Sequence, residues 1–140
     1  MAEHDFDWRR FVLEQPRTGK LATTRADGRP HVAPVWVDLD GDEVVFMTGE
    51  TSVKGRSLRR DPRVAICFDD ETPPFAFVLI EGTAQVSNDL GELRHWATRI
   101  GGRYMGSDRA EEFGARNGVP GELLVRVTSD KILARSDIGG

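Results

Sequence analysis

Two Asp-Gly pairs, in "ADGR" (26–29) and "LDGDE" (39–43), limit the possible folds more than any other feature of this chain. Asp-Gly suits the positive φ angles of a tight reversal, and such reversals join antiparallel strands. The flanking residues agree: Leu21 and Thr23 alternate with Ala22 and Thr24, while "PHVAPVWVDL" and "VVFMTG" are rich in β-branched and apolar residues. Residues 19–49 therefore predict a three-strand antiparallel meander. Pro34 interrupts its middle strand. Proline has no N–H to give a ladder, so it marks an edge, a bulge or a break.

The remaining segments extend this pattern. "FDWRRFVLEQ" (6–15) has the spacing of an amphipathic helix, ended by Pro16. "RVAICFDD" (63–70) reads as a fourth strand, "ETPPF" as a loop, and "AFVLIEGTAQVS" (76–87) as a long fifth strand with a bulge or bend at Gly82. Residues 89–105 read as a helix weakened by Gly101 and Gly102, and 107–116 as a helix opened by Ser107 with Glu111 close behind. "GELLVRVTSDKILARS" closes the chain as one or two strands. The expectation is a single domain over 1–140, mainly β with helices: a six- to seven-stranded split antiparallel β-barrel. A small barrel fills its interior with side chains, so a cofactor belongs on its outer surface or between subunits.

Charge narrows the function classes. The 140 residues carry a formal charge of −4 with a pI near 5.4, which disfavours a nucleic-acid binder. No stretch offers the roughly 20 apolar residues of a membrane helix, and "MAEHDFDWRR" has no secretory core, so a cytoplasmic location is expected. Cys67 is the one cysteine, in a β-branched strand, and is expected to be a buried small hydrophobe. His4, His31 and His95 show no metal-ligand spacing, and no Ser-His-Asp or Cys-His arrangement is legible.

Against this acidic background, "ETSVKGRSLRRDPRVAI" (50–66) stands out, with five basic residues and one acidic residue between Thr51 and Arg63. It reads as a short helix capped by Thr51 and Ser52 and stopped by Pro62. A helix start presents unpaired N–H groups and a positive dipole end, a seat for an anion. Lys54 falls in the first turn, and Ser57 shares its face. The alternative is an ordinary solvated basic face, since no Gly-rich phosphate cradle is present.

In order, "LATTRADGRPHVAPVW", "VVFMTG" and a lysine helix ending in "LRRDPRVAI" resemble the flavin/deazaflavin oxidoreductases of the pyridoxamine 5′-phosphate oxidase-like split-barrel superfamily. "PVW" followed by "SLRRDPR" is most similar to the branch that uses the deazaflavin coenzyme F420. The resemblance implies a homodimer with cofactor grooves at its interface. It implies a phosphate held by Ser52, Lys54 and Ser57, the last standing where many relatives have Asn. The ring would lie along Pro34, Val35 and Trp36 near Thr48, with Arg59 and Arg60 neutralising phosphate or a tail. Thr51, Val53 and Leu58, on the same helix, complete the implied cofactor-binding set. The implied activity is hydride transfer between reduced F420 and a small electrophilic acceptor: an unsaturated lactone, a quinone or a tetrapyrrole. FMN in the same groove, or a non-catalytic cofactor carrier, are the alternatives. No catalytic acid or base stands out. Trp36 suits either ring stacking or packing; Tyr104 suits either the substrate pocket or packing. Phe75 and Phe77 suit either a dimer core or a lean over the partner's cofactor, and His31 reads as a surface residue.

Overall fold

The computed structural model describes residues 2–4 and 6–139; His4 and its neighbours in the first five residues have side chains outside that description. The strands are β1 (Ala2–His4), β2 (Gly19–Thr24), β3 (Pro30–Val35), β4 (Val37–Asp40), β5 (Glu43–Gly49), β6 (Arg63–Asp70), β7 (Ala76–Ser87) and β8 (Glu122–Ser136). The helices are α1 (Trp8–Glu14), α2 (Val53–Arg60), α3 (Leu90–Met105) and α4 (Ala110–Asn117).

Seven strands form one antiparallel path in the order β3-β2-β6-β7-β8-β5-β4, and β1 adds to β8 in parallel. The expected meander is thus corrected. β2–β3 and β4–β5 are two hairpins at opposite ends of the path, although only Trp36 separates β3 from β4. One residue cannot bridge the width of a flat sheet. The sheet must curl until its two edges meet at Trp36, and this gives the split barrel. Pro34 lies inside β3, opposite Lys20, where an edge strand tolerates it. The chain breaks two residues later, at Trp36.

Both Asp-Gly pairs do turn the chain, with Gly28 at φ 88° and Gly41 at φ 60°. The second forms a two-residue loop, shifted by one residue to Gly41 and Asp42; the first does not. The first loop is longer, closed by Arg25 N–H donating to the Arg29 carbonyl at 2.9 Å; the second pairs Asp40 with Glu43 around Gly41 and Asp42. Gly82 marks a bulge as expected: the β7–β8 register jumps from Glu81↔Lys131 to Gly82↔Ser129, and a Cβ at Gly82 would strike the Thr128 carbonyl.

The barrel interior holds Leu21, Val44, Phe46, Ile66, Phe68, Val78, Ile80 and Val125, all fully buried, with Trp8, Phe11 and Val12 of α1 closing one end. A second cluster lies outside the wall, where Val45 and Leu124 meet Leu93, Trp96 and Ile100 of α3. This explains the non-alternating runs "VVF" and "LLV": those strands are covered on both faces. Gly101 and Gly102 do not weaken α3, which runs unbroken to Met105. A Cβ at Gly101 would collide with Phe113, so glycine there lets α4 approach closely. Ser107 lies in a 3-10 turn and does not cap α4, whose N-cap position is Arg109.

Candidate functional site

The end of β5, the start of α2 and one face of α3 enclose a groove of about 400 Å³. Of the expected set, Pro34, Val35, Trp36, Thr48, Ser52 and Lys54 line it together. Met47, Gly49, Ala97, Ile100, Gly101, Asn117 and Glu122 also line it, and sequence reading did not mark these as site residues. The last five arrive from α3, α4 and β8, far along the chain. The one local signal was the Gly101–Gly102 pair, which marks close packing.

Ser52 caps α2. Its hydroxyl donates to the Gly49 carbonyl at 2.8 Å and accepts the Gly55 N–H at 3.0 Å. With that proton engaged, Thr48 Oγ1 is the donor in the 2.9 Å contact with Ser52 Oγ. Both hydroxyls therefore hold the turn rather than point a proton at an anion. The donors left for an anion are the first-turn N–H groups of Val53 and Lys54 and the Lys54 ammonium. Gly55 makes the arrangement possible, because a Cβ there would overlap the Gly49 carbonyl oxygen.

The rest of α2 faces elsewhere. Leu58 is 3% exposed in the barrel core, and Ser57 is 2% exposed beneath Arg60, whose guanidinium lies 3.5 Å from its hydroxyl. Thr51 and Val53 are exposed beside the groove. Arg59 pairs with Glu50 at 3.3 Å, Arg60 donates to the Thr24 carbonyl at 2.9 Å, and Arg63 pairs with Asp61 at 2.8 Å. Bonds from the Arg63 side chain and backbone, with the nearby Arg60 charge, hold the Asp61 carboxyl down to about 2. Among the described residues, Lys54 and Arg56 are the cations of this stretch whose side chains make neither an ion pair nor a hydrogen bond, while Arg60 bonds only neutral oxygens.

Trp36 packs and also lines the groove. One face stacks on Tyr104 at 5.0 Å and 4°, and the ring also forms part of the groove wall. Tyr104 is structural: its hydroxyl accepts the Val37 N–H at 2.9 Å and donates to the Arg17 carbonyl at 2.7 Å. Replacing Tyr104 with Phe should cost about 1–3 kcal/mol in urea unfolding, because both backbone groups lose their partner. His31 lies outside the groove, half-buried, with Nδ1 covered and unpartnered opposite Thr23. Cys67 is half-buried on the outer face of the sheet rather than fully buried. Burial, with help from Asp69, pushes its thiol up.

Glu122 lies across the ladder from Gly49, and its carboxylate has no hydrogen bond or ion pair among the described residues. Burial pushes its carboxyl above the ordinary 4.5. A carboxyl raised on folding adds stability at low pH and loses it as pH climbs from 4.5 through the raised value. Glu122→Gln should therefore melt like wild type in acid and slightly higher at pH 7, as calorimetry across pH would show. A charged group that lowers stability at neutral pH is better explained by ligand binding than by folding.

The family model described as pyridoxamine 5′-phosphate oxidase matches residues 7–135. The chain is 35% identical over 104 residues to the pyridoxine/pyridoxamine 5′-phosphate oxidase of Burkholderia multivorans, covering 71% of this chain and 47% of that one. It is 31% identical over 97 residues to the Myxococcus xanthus oxidase, covering 69% and 47%. The chain thus spans about half the length of these curated relatives. A conserved hypothetical protein from Mycobacterium tuberculosis superposes with a TM-score of 0.83 at 26% identity, over 98% of this chain and 89% of the other. A structure described as an F420 reductase superposes at 0.70 and 23% identity, over 95% and 99%. The heme storage protein HutZ from Vibrio cholerae has the same fold at 0.70 and 16%, over 88% and 89%. Fold, groove and a match over nearly the whole chain agree: this protein belongs to the pyridoxamine 5′-phosphate oxidase family of split β-barrels.

Proposed function

We propose that this protein is an oxidoreductase that binds coenzyme F420 in the groove and transfers a hydride between the reduced deazaflavin and a small electrophilic acceptor. The observation that carries the reading is one cavity joining a capped helix start and unpaired Lys54 to an apolar wall of Pro34, Val35, Trp36 and Met47. Gly55 lets the start of α2 close onto the end of β5, where a Cβ would overlap the Gly49 carbonyl oxygen, and the helix-start N–H groups and Lys54 beside the apolar wall fit a phosphorylated ring cofactor.

When bound, such a cofactor supplies the electron pair and its ring chemistry. The chain supplies position and environment. The Val53 and Lys54 N–H groups and the Lys54 ammonium hold the phosphate, while the Trp36 wall orients the ring and Val35, Met47 and Ile100 exclude water. The exposed Arg56 guanidinium, close to the helix start, is available to an anionic tail. Thr51, Val53, Arg59 and Arg60 border this path; Ser57 and Leu58 support it from beneath.

FMN is the second reading. It is favoured by the ion pairs of Arg59 with Glu50 and of Arg63 with Asp61, which take two of the stretch's cations out of reach of a long anionic tail. The test is titration of the purified protein with F420 and with FMN, followed by tryptophan quenching. Micromolar FMN binding with no F420 binding would overturn the leading reading. Turnover of menadione with reduced cofactor separates an enzyme from a carrier.

We assign the working form as a homodimer in the cytoplasm. The outer face of the sheet carries cross-strand rows Val32–Ala22–Ala65–Glu81 and Pro34–Lys20–Cys67–Leu79, with Val32 at 64% exposure and Phe75 and Ile138 exposed beyond their end. A face whose apolar residues are edged by Lys20 and Glu81 suits a second copy. Pro34 lies on that face and in the groove wall, so the groove borders the proposed interface. No helix among the described residues is long and apolar enough to cross a membrane. Sedimentation equilibrium showing a monomer at micromolar concentration would rule out the dimer.

A further inference from the structure

Three polar side chains line the groove without a hydrogen bond or ion pair among the described residues: Lys54 from α2, Asn117 from the end of α4 and Glu122 from the start of β8. Lys54 and Glu122 share one cavity of about 400 Å³ yet form no ion pair, so the cation and the carboxylate leave room for a ligand between them. A half-buried carboxylate without a partner is costly unless a ligand completes it. Its neighbourhood also fixes what that ligand can bring. A second anion beside Glu122 would be repelled, whereas a hydroxyl donor would satisfy it. Asn117 offers an amide that both donates and accepts, the complement of a hydroxyl.

Building on the cofactor reading, we propose that Glu122 and Asn117 form a hydroxyl-reading end of the groove. They select ligands in which an uncharged, polyhydroxylated chain follows the anion held at Lys54. The groove then distinguishes a phosphorylated polyol from a bare anion or from a ring carrying two adjacent anionic groups. Glu122 is a specificity residue in this assignment, with no part in the redox chemistry.

The test uses the full chain, wild type and the variants Glu122→Gln, Glu122→Ala and Asn117→Ala, each checked by circular dichroism. Three probes are titrated: FMN, riboflavin (the same chain without phosphate) and inorganic phosphate, the last by competition with FMN. Glu122→Ala should weaken FMN and riboflavin together by about tenfold or more, the scale of a hydrogen bond to a charged group. Glu122→Gln, which keeps the shape, should weaken both to a smaller degree. Phosphate should bind each Glu122 variant as well as wild type or better, since a repulsive charge is gone. Equal losses for all three probes would mean a damaged groove, and unchanged FMN affinity would mean Glu122 reads nothing; either result overturns the proposal. Wild type that binds neither FMN nor F420 would remove the cofactor reading itself. Wild type that binds one of them while the variants match it would remove the present inference alone.

Discussion

Lys54→Ala is expected to weaken cofactor binding by about 1.5–3 kcal/mol, the range for a hydrogen bond to a charged group. That is a loss of roughly ten- to a hundredfold in Kd, readable by fluorescence titration with F420 or FMN. Stability should hardly change, because the Lys54 ammonium has no hydrogen bond or ion pair among the described residues. The pairing of a large binding effect with a small folding effect is the point of the experiment. Neighbouring Arg59 and Arg60 are the contrast: Arg59 pairs with Glu50 and Arg60 with the Thr24 carbonyl, so alanine there should affect affinity less. Unchanged affinity in Lys54→Ala would place the phosphate elsewhere.

Gly55→Ala is expected to destabilise the fold by about 1–3 kcal/mol, the usual cost of overpacking, and to lower cofactor affinity as well. Alanine gains about 0.5–1 kcal/mol over glycine in a helix, so helix propensity alone predicts the opposite sign. Space decides the outcome. The added Cβ would overlap the Gly49 carbonyl oxygen and lie 3.1 Å from Glu50 Cα, and both are backbone atoms that cannot swing away. Relief requires α2 to move off the end of β5, which opens the Ser52–Gly49 and Thr48–Ser52 bonds that shape the helix start. Gly91→Ala is the control. It lies in the first turn of α3, where the added Cβ would meet nothing nearer than Asp89 Oδ2 at 3.5 Å. That variant should be neutral or slightly stabilised in the same chemical denaturation.

The basic run from Thr51 to Arg63 shows where sequence reading stops. Its cap, its helix and its Lys54 were legible, because caps and helix starts depend on a few adjacent residues. The surplus of arginine suggested a ligand with more charge than FMN. In the structure, Glu50, the Thr24 carbonyl and Asp61 take up three of those arginines, and the Thr24 carbonyl belongs to a strand more than thirty residues upstream. Ser57 looked like a neighbour of Lys54 on one helix face, yet it is buried under Arg60. Helical spacing gives relative angles along one helix; it does not say which angle faces the barrel.

By itself the sequence determined the local matters: strands of period two, reversals at Gly28 and Gly41, a bulge at Gly82 and an anion-ready helix start at Ser52. The strands, reversals and helix start rest on interactions within a few residues, so the pattern of residue types is enough; the bulge shows locally as Gly82 but is formed against β8. The tertiary structure alone decided how the strands pair and what completes the groove. Residues 19–49 satisfy a meander and a curled barrel equally well, because alternation marks two faces without naming the neighbouring strand. The pairing of β2 with β6 and of β5 with β8 is settled by burying one continuous core. That same curl carries Glu122 and Asn117, more than sixty residues beyond Lys54, into the wall of the same cavity.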